Sequence, residues 1–311
     1  TIIAFVSGTQ VTLANNASNT LSAVAKTVTY GTDDTAAFQT MFDSSTYAID
    51  VSNSSGCMLG SAITLSLPKH IYGKNTIFFR QLGTGTGARA LTLASGSSNS
   101  LLENFGIDYD IGGRVSSLGI TIEFTSSTNT TLNRLSLQGN IATAGYKSIA
   151  IDNVSNGSNI INCYIVGYNG YVITGATAAS NNLIQGNRIV NGGKNTDAAG
   201  VIAWLSSGAS GPMANVRFIG NSIDTSNLAI ADQTVGIYVY GGSPTVRGDM
   251  YNNIVISDNV MIGTANTTTT VSAGVLVTQA FNVTINNNSI KWYGEGIGTG
   301  AVLNLTITGN S

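Results

Sequence analysis

Charge is scarce in this chain of 311 residues: Asp, Glu, Lys and Arg together make up 9%, against about 25% in an ordinary globular protein. The 13 Lys and Arg are spread thinly. Phosphate binding needs clustered cations, so nucleic acid is not expected as a partner. No run reaches the ~18 apolar residues of a membrane span, which argues against membrane insertion. No leader peptide is visible, and the chain opens on Thr1 rather than Met, as a mature or trimmed N-terminus does. A single histidine, His70, leaves no partner set for a His-based nucleophile triad. With it come only two cysteines, Cys57 and Cys163, far apart in sequence. They offer no zinc spacing and read as free thiols. No cofactor or metal is implied. Proline is nearly absent, at three residues.

Asn, Thr, Ser and 37 Gly fill the space that charge leaves, and 42% of the residues are hydrophobic, so a core is available. A pattern returns through the chain: Asn, apolar, any, apolar, two of any kind, Asn, any, apolar. It runs from Asn215 to Ile223, from Asn253 to Met261 and from Asn282 to Ile290, and begins again at Asn304. Asn181 to Ile189 is a near copy, and Asn104–Asp110 and Leu135–Asn140 are looser ones. Aligned, these place Asp110, Asn140, Cys163, Asn187, Asn221, Asn259, Asn288 and Asn310 in one column.

Between the copies lies a second motif, a small residue followed by alternating apolar positions. Examples are Gly119–Glu123, Ser148–Asp152, Gly200–Trp204, Gly236–Tyr240 and Gly274–Thr278. Alternation with period two marks a strand with one buried face. Several short strands in a minimum period of about 22 residues fit one coil of a solenoid. The fold expected is all-β, a right-handed parallel β-helix. Residues above the minimum leave as loops, like positions stack about 4.8 Å apart, and the Asn column becomes a hydrogen-bonded ladder at a turn.

Residues Thr32 to Asp43 read Thr-Asp-Asp-Thr-Ala-Ala-Phe-Gln-Thr-Met-Phe-Asp. Asp33 or Asp34 can cap a helix whose apolar face carries Ala37, Phe38, Met41 and Phe42, a short plug for the open end of the coils. With Gly31, the segment resembles the G-x-T-D-D-T-x-A-[IF]-Q entry motif of the pectate-lyase-like superfamily, common in bacteriophage tailspikes and capsule depolymerases. Leu67 to Gly73 looks like that family's first coil. The expected domains are an entry segment with capping helix over residues 1–45 and the β-helix over 46–311, ending before a C-terminal region that the family usually adds. The resemblance implies a homotrimer on the virion tail, extracellular, with a bacterial surface polysaccharide (capsule, exopolysaccharide or O-antigen) as partner. It implies glycan binding or cleavage, and leaves open a non-catalytic fibre or adhesin shaft and a secreted lyase.

Glycoside hydrolysis needs two carboxylates, and the chain has 15 acids to search. The second motif puts Glu123 and Asp152 at the same place on adjacent coils, read as outward-facing. Such a pair starts at roughly 5 Å and can splay wider at its tips; roughly 5 Å suits a retaining mechanism and ~6.5–9.5 Å an inverting one, and crowding by a like charge would raise one pKa and make a general acid. The same reading puts Trp204, Tyr238 and Tyr240 on the outer face as platforms for sugar rings. Ordinary solvated acids and aromatics at a chain interface are the plainer readings of these residues. The longest coils carry loops at 191–199, 206–215, 224–235 and 241–253 with Asp197, Asp224, Asp232, Arg247 and Asp249. Asp224, Asp232 and Asp249 are alternates for catalysis, and Arg247 is a candidate for binding substrate. Asp108 and Asp110 are a third option. The thin supply of cations argues against a strongly anionic substrate and against a calcium-dependent lyase.

Overall fold

The structure is a computed structural model. It describes residues 2–7, 10–13, 33–52, 57–74, 78–81, 89–108, 119–139, 148–153, 155–168, 170–176, 179–192, 200–205, 214–228, 235–241, 251–264 and 272–311. The chain divides into two units, Thr1–Tyr30 and Gly31–Ser311. In the first, Ile2–Ser7 pairs antiparallel with Gln10–Leu13.

The second unit is a right-handed parallel β-helix. Each full coil contributes three strands in a fixed order. One coil runs Gly119–Phe124, Thr131–Asn133 and Ser136–Gln138, and each strand pairs in parallel with its equivalent on the next coil, Ser148–Asn153, Asn159–Ile161 and Tyr164–Val166. The third strands form a nine-stranded sheet that begins at Met58–Leu59 and ends at Ser289–Lys291. The first and second strands of a coil merge in the last two coils into continuous strands, Ala273–Asn286 and Glu295–Thr308. Inward Ile, Leu, Val and Phe make one continuous core along the stack, including Leu65, Leu93, Phe124, Ile151, Ile173, Val239 and Val277.

Two bends of each coil need a left-handed backbone, which Asn, Asp and Gly adopt most readily. The residues there are Asn104, Arg134, Asn162, Gly186, Gly220, Asp258, Asn287 and Gly309 at one bend, and Asn99, Asn129, Gly157, Asn181, Asn215, Asn253, Asn282 and Asn304 at the other, all with positive φ. The turn chemistry of the chain is therefore where its Asn and Gly go.

The expected ladder is present from Cys163 to Asn310. Asn187 donates from its backbone N–H and from Nδ2 to Asn221 Oδ1 (3.1 and 3.0 Å). Asn221 does the same to Asn259 (2.9 and 3.0 Å), Asn259 to Asn288 (3.0 and 2.8 Å), and Asn288 to Asn310 (2.9 and 2.9 Å). The early part of the column differs from expectation. Gly106, Ser136, Tyr164 and Arg188 are register partners, so the places before Cys163 belong to Phe105 and Leu135, not to Asp110 and Asn140. Those coils pack this corner with apolar side chains, both buried.

The helix forms over Thr35–Asp43 and buries Phe38 and Phe42, with Met41 partly buried; Ala37, expected on that face, is exposed. Asp33 accepts hydrogen bonds from the Thr35 backbone N–H (3.0 Å) and hydroxyl (2.6 Å) and from the Gly60 N–H (2.9 Å). Asp34 accepts from the Met58 N–H (3.2 Å). The acids of the entry motif thus tie the helix to the first coil. Gln39 completes the plug: its amide accepts from the Thr64 N–H and donates to the Thr64 carbonyl, both at 2.9 Å, as a neighbouring strand would. This satisfies backbone groups that an open edge leaves unpaired. Lys69 is buried beneath the helix end, where its Nζ donates to the carbonyls of Ser44 and Thr46.

Candidate functional site

Glu123 and Asp152 are direct register partners on adjacent coils, which sets their backbones about 4.8 Å apart. The alternation keeps their neighbours inward: Ile122, Phe124 and Ile151 are fully buried, while the two acids face out and stay partly exposed. One coil earlier, Arg89 opens the strand Arg89–Leu93 and reaches across to Glu123. Its Nη2 donates to Oε1 at 2.7 Å and its Nε to Oε2, a two-pronged ion pair with the Glu123 carboxylate 13% exposed. Such forked contacts are the strong form of charge-assisted hydrogen bond.

The two carboxyls are thereby made unlike. Burial first, and the nearby Glu123 charge second, push Asp152 up to about 6, with Arg89 pulling back in part. An acid that keeps its proton to near neutrality, beside a carboxylate held in place by a guanidinium, has the makings of an acid/base pair. Arg89 is the residue the sequence reading missed. Arg89-Ala90-Leu91-Thr92-Leu93 alternates like the other strands, but it begins on a long cation rather than a small residue.

The column carrying the pair continues as Thr174, Ala203, Tyr238 and Leu276. Tyr238 therefore stands in line with the acids, three coil rises from Asp152, or about 14 Å. Thr174 and Ala203 are the small residues between. Tyr240 lies beside Tyr238, with ring centres 6.1 Å apart and planes at 41°. Burial raises the Tyr238 hydroxyl pKa, and the neighbouring Tyr240 and Tyr171 add to the shift.

Trp204 does not join them. Gly200 pairs with Val235 rather than Gly236, so this strand is one residue out of phase with the expected alignment, and Trp204 partners Val239 in a core column. It is fully buried, meets Phe218 edge-on at 5.6 Å, and donates from Nε1 to the Ala179 carbonyl at 3.0 Å. Its neighbour on the previous coil is Gly175, where a Cβ would sit 2.2 Å from the indole. Two positions before the column, Thr121, Ala150, Val172 and Val201 are all fully buried. Thr121 shares a hydrogen bond of 2.8 Å with the hydroxyl of Tyr168, which is itself buried.

Asp224 lies in the nine-stranded sheet, not beside the pair, and accepts from the Ser226 backbone N–H (3.0 Å) and hydroxyl (2.7 Å) in a local turn. Asp110, Asp197, Asp232, Arg247 and Asp249 fall outside the described residues. Asp108 is described, and buried. His70 is a strand residue, with Nε2 2.8 Å from Glu103 Oε1. That contact, foremost among several and against the effect of burial, holds the Glu103 carboxyl below its ordinary range. Burial pushes the Cys163 thiol up to about 12, which leaves it unreactive. Among the described residues no cluster of His, Cys, Asp and Glu could hold a metal ion, and no helix is long and apolar enough to cross a membrane.

No family model matches the chain, and neither does any curated protein. Solved structures do. The Dettilon tailspike protein is 14% identical with a TM-score of 0.59, over 90% of this chain and 59% of its own. The enzymatically active domain of tailspike protein 2 of bacteriophage CBA120 is 14% identical with a TM-score of 0.62, over 91% of this chain and 41% of its own. The full-length tailspike protein 2 from an Escherichia coli O157:H7 bacteriophage is 14% identical with a TM-score of 0.57, over 89% of this chain and 37% of its own. The chain thus spans less than two thirds of each. At this identity the likeness is one of fold.

Proposed function

We propose that this parallel β-helix of the pectate-lyase-like kind is the glycan-engaging shaft of a phage tailspike, and that it hydrolyses a neutral or weakly charged bacterial surface polysaccharide. The assembly is a homotrimer on the virion tail. The observation that carries the reading is the asymmetric pair: Asp152, pushed up to about 6, beside Glu123 gripped by Arg89. Asp152 is the general acid that protonates the leaving oxygen. Glu123 is the nucleophile: side chains of register partners on adjacent strands start about 5 Å apart, the carboxyl spacing that suits retention. Tyr238, Tyr240 and Tyr171 give sugar rings an aromatic surface.

A second reading is a shaft that binds without cleaving. The Arg89 fork favours it, because both Glu123 oxygens are occupied and structural ion pairs perturb pKa as catalytic ones do. Digestion of a panel of bacterial polysaccharides, followed by sizing, separates the two. Hydrolysis gives discrete oligosaccharides with new reducing ends and no ultraviolet-absorbing double bond. Glu123→Gln or Asp152→Asn abolishes it while binding survives, and the wild-type rate falls as pH rises through about 6, where Asp152 loses its proton. Intact polymer across the panel with saturable binding to one member supports the second reading. Unsaturated products would make the protein a lyase and overturn both.

A further inference from the structure

Another surface of the coil stack has features that the acid pair does not use. At the corner between the second and third strands of successive coils an open groove of about 270 Å3 is lined by Asn104, Arg134, Ser136, Asn162 and Tyr164, among others. Arg134 is anomalous there. Its φ is +52°, in a column otherwise made of Asn, Asp and Gly. A long side chain in that backbone conformation is strained, and such strain persists where a function selects it. Its guanidinium is 58% exposed and only loosely held. Glu103 gives one oxygen to His70 at 2.8 Å and the other to Asn133 at 3.2 Å, with Arg134 at 3.4 Å.

Tyr164 is 40% exposed. Arg188, its partner on the next coil, places its guanidinium carbon 5.5 Å from the ring centre. On the coils before, the same column holds Ser136 and Gly106, small residues that leave the recess on the other side of the ring. The groove is just under the ~300 Å3 at which small-molecule pockets begin, enough for one sugar unit. A forked donor matches a carboxylate, and a tyrosine face matches the apolar face of a pyranose.

We propose that this groove is a second, non-catalytic glycan site that takes one carboxylate-bearing sugar, a uronic-acid unit, with Arg134 facing the carboxylate and Tyr164 stacking on the ring. The proposal rests on the reading of the chain as glycan-engaging and narrows it: the polymer carries an acidic sugar in its repeat, a charge density that one arginine suits where a densely anionic polymer would need more.

The test is titration of the full chain with sodium glucuronate at millimolar concentrations, followed by NMR or calorimetry, with glucose as the neutral control. The expected result is saturable glucuronate binding that exceeds glucose binding and weakens about tenfold or more in Arg134→Asn and in Tyr164→Ser, because each removes one of the two recognition elements. Arg134→Asn suits the local backbone, so a folding failure is not expected there; circular dichroism confirms that the variant is folded. Absence of saturation, equal binding of glucose, or unchanged binding in Arg134→Asn or in Tyr164→Ser overturns the proposal. Glycan cleavage is scored separately, so failure of the hydrolase reading is not mistaken for failure of this one.

Discussion

At the scale of single residues, the acid pair and the buried tryptophan make opposite demands on stability. Asp152 is held where its charged form is disfavoured. Between the ordinary carboxyl value of about 3.9 and about 6, the native protein keeps a proton that the unfolded chain has released. Native stability therefore declines as pH rises through that window, and the deficit persists above it. Asp152→Asn removes the titration. We expect it to raise stability at pH 8 by on the order of 2 kcal/mol and to leave it nearly unchanged at pH 3, as read from urea midpoints; equal midpoints at pH 8 would refute the burial of that carboxyl. Trp204→Ala acts in the other sense. It empties a fully buried site and orphans the Ala179 carbonyl, so a loss of roughly 3–5 kcal/mol is expected. Its effect belongs to unfolding curves; a variant that kept full stability but lost glycan affinity would return Trp204 to the surface.

At the scale of strands and bends, the ladder shows why one residue type repeats. The side chain of Asn221 sits in the middle of four contacts. It accepts from Asn187 N–H and Nδ2, and donates to the Ile184 carbonyl (2.9 Å) and to Asn259 Oδ1. Asn221→Leu leaves those buried partners unmatched, each at roughly 1–3 kcal/mol, so several kcal/mol of destabilisation is expected in thermal or chemical unfolding. Asn310→Ala should lose less, because that ladder end is only partly buried. Leucine is no problem in itself, since Leu135 holds the same place two coils before Asn187 among apolar neighbours. What was legible in the sequence follows the same line. The late coils announce themselves because the bend needs a left-handed residue and the ladder needs an amide, so their Asn residues keep a fixed spacing. Phe105 and Leu135 carry no such signature, and Asp110 and Asn140 stood in for them. Glu123 and Asp152 were legible because Gly119 and Ser148 are true register partners. Trp204 was not, because the loop lengths between strands set the phase, and a local Gly200 motif cannot report which residue of Val235–Tyr240 it faces.

At the scale of the coil stack, each coil pairs only with those before and after it, and its stability is close to a sum of coil terms and nearest-neighbour interfaces. A defect should then stay near its origin, unlike one in a globular core that repacks as a unit. Asn221→Leu strikes the interfaces to Arg188–Val190 and Val260–Ile262. Backbone amides in those strands, and in Leu183–Gln185 and Tyr251–Ser257 beside them, should exchange faster with deuterated solvent, because local opening lies below global unfolding in free energy. Ile63–Leu65, Arg89–Leu93 and Leu101–Glu103 lie several coils away under the helix plug, and their protection should stay at the wild-type level. Mass-spectrometric hydrogen exchange resolves the two groups of peptides. Uniform loss of protection from the helix to Ser311 would mean that the stack unfolds as one cooperative body, and that the acid pair and the arginine groove are energetically coupled through it. Confined loss would mean that the acid pair and the arginine groove are energetically independent of each other.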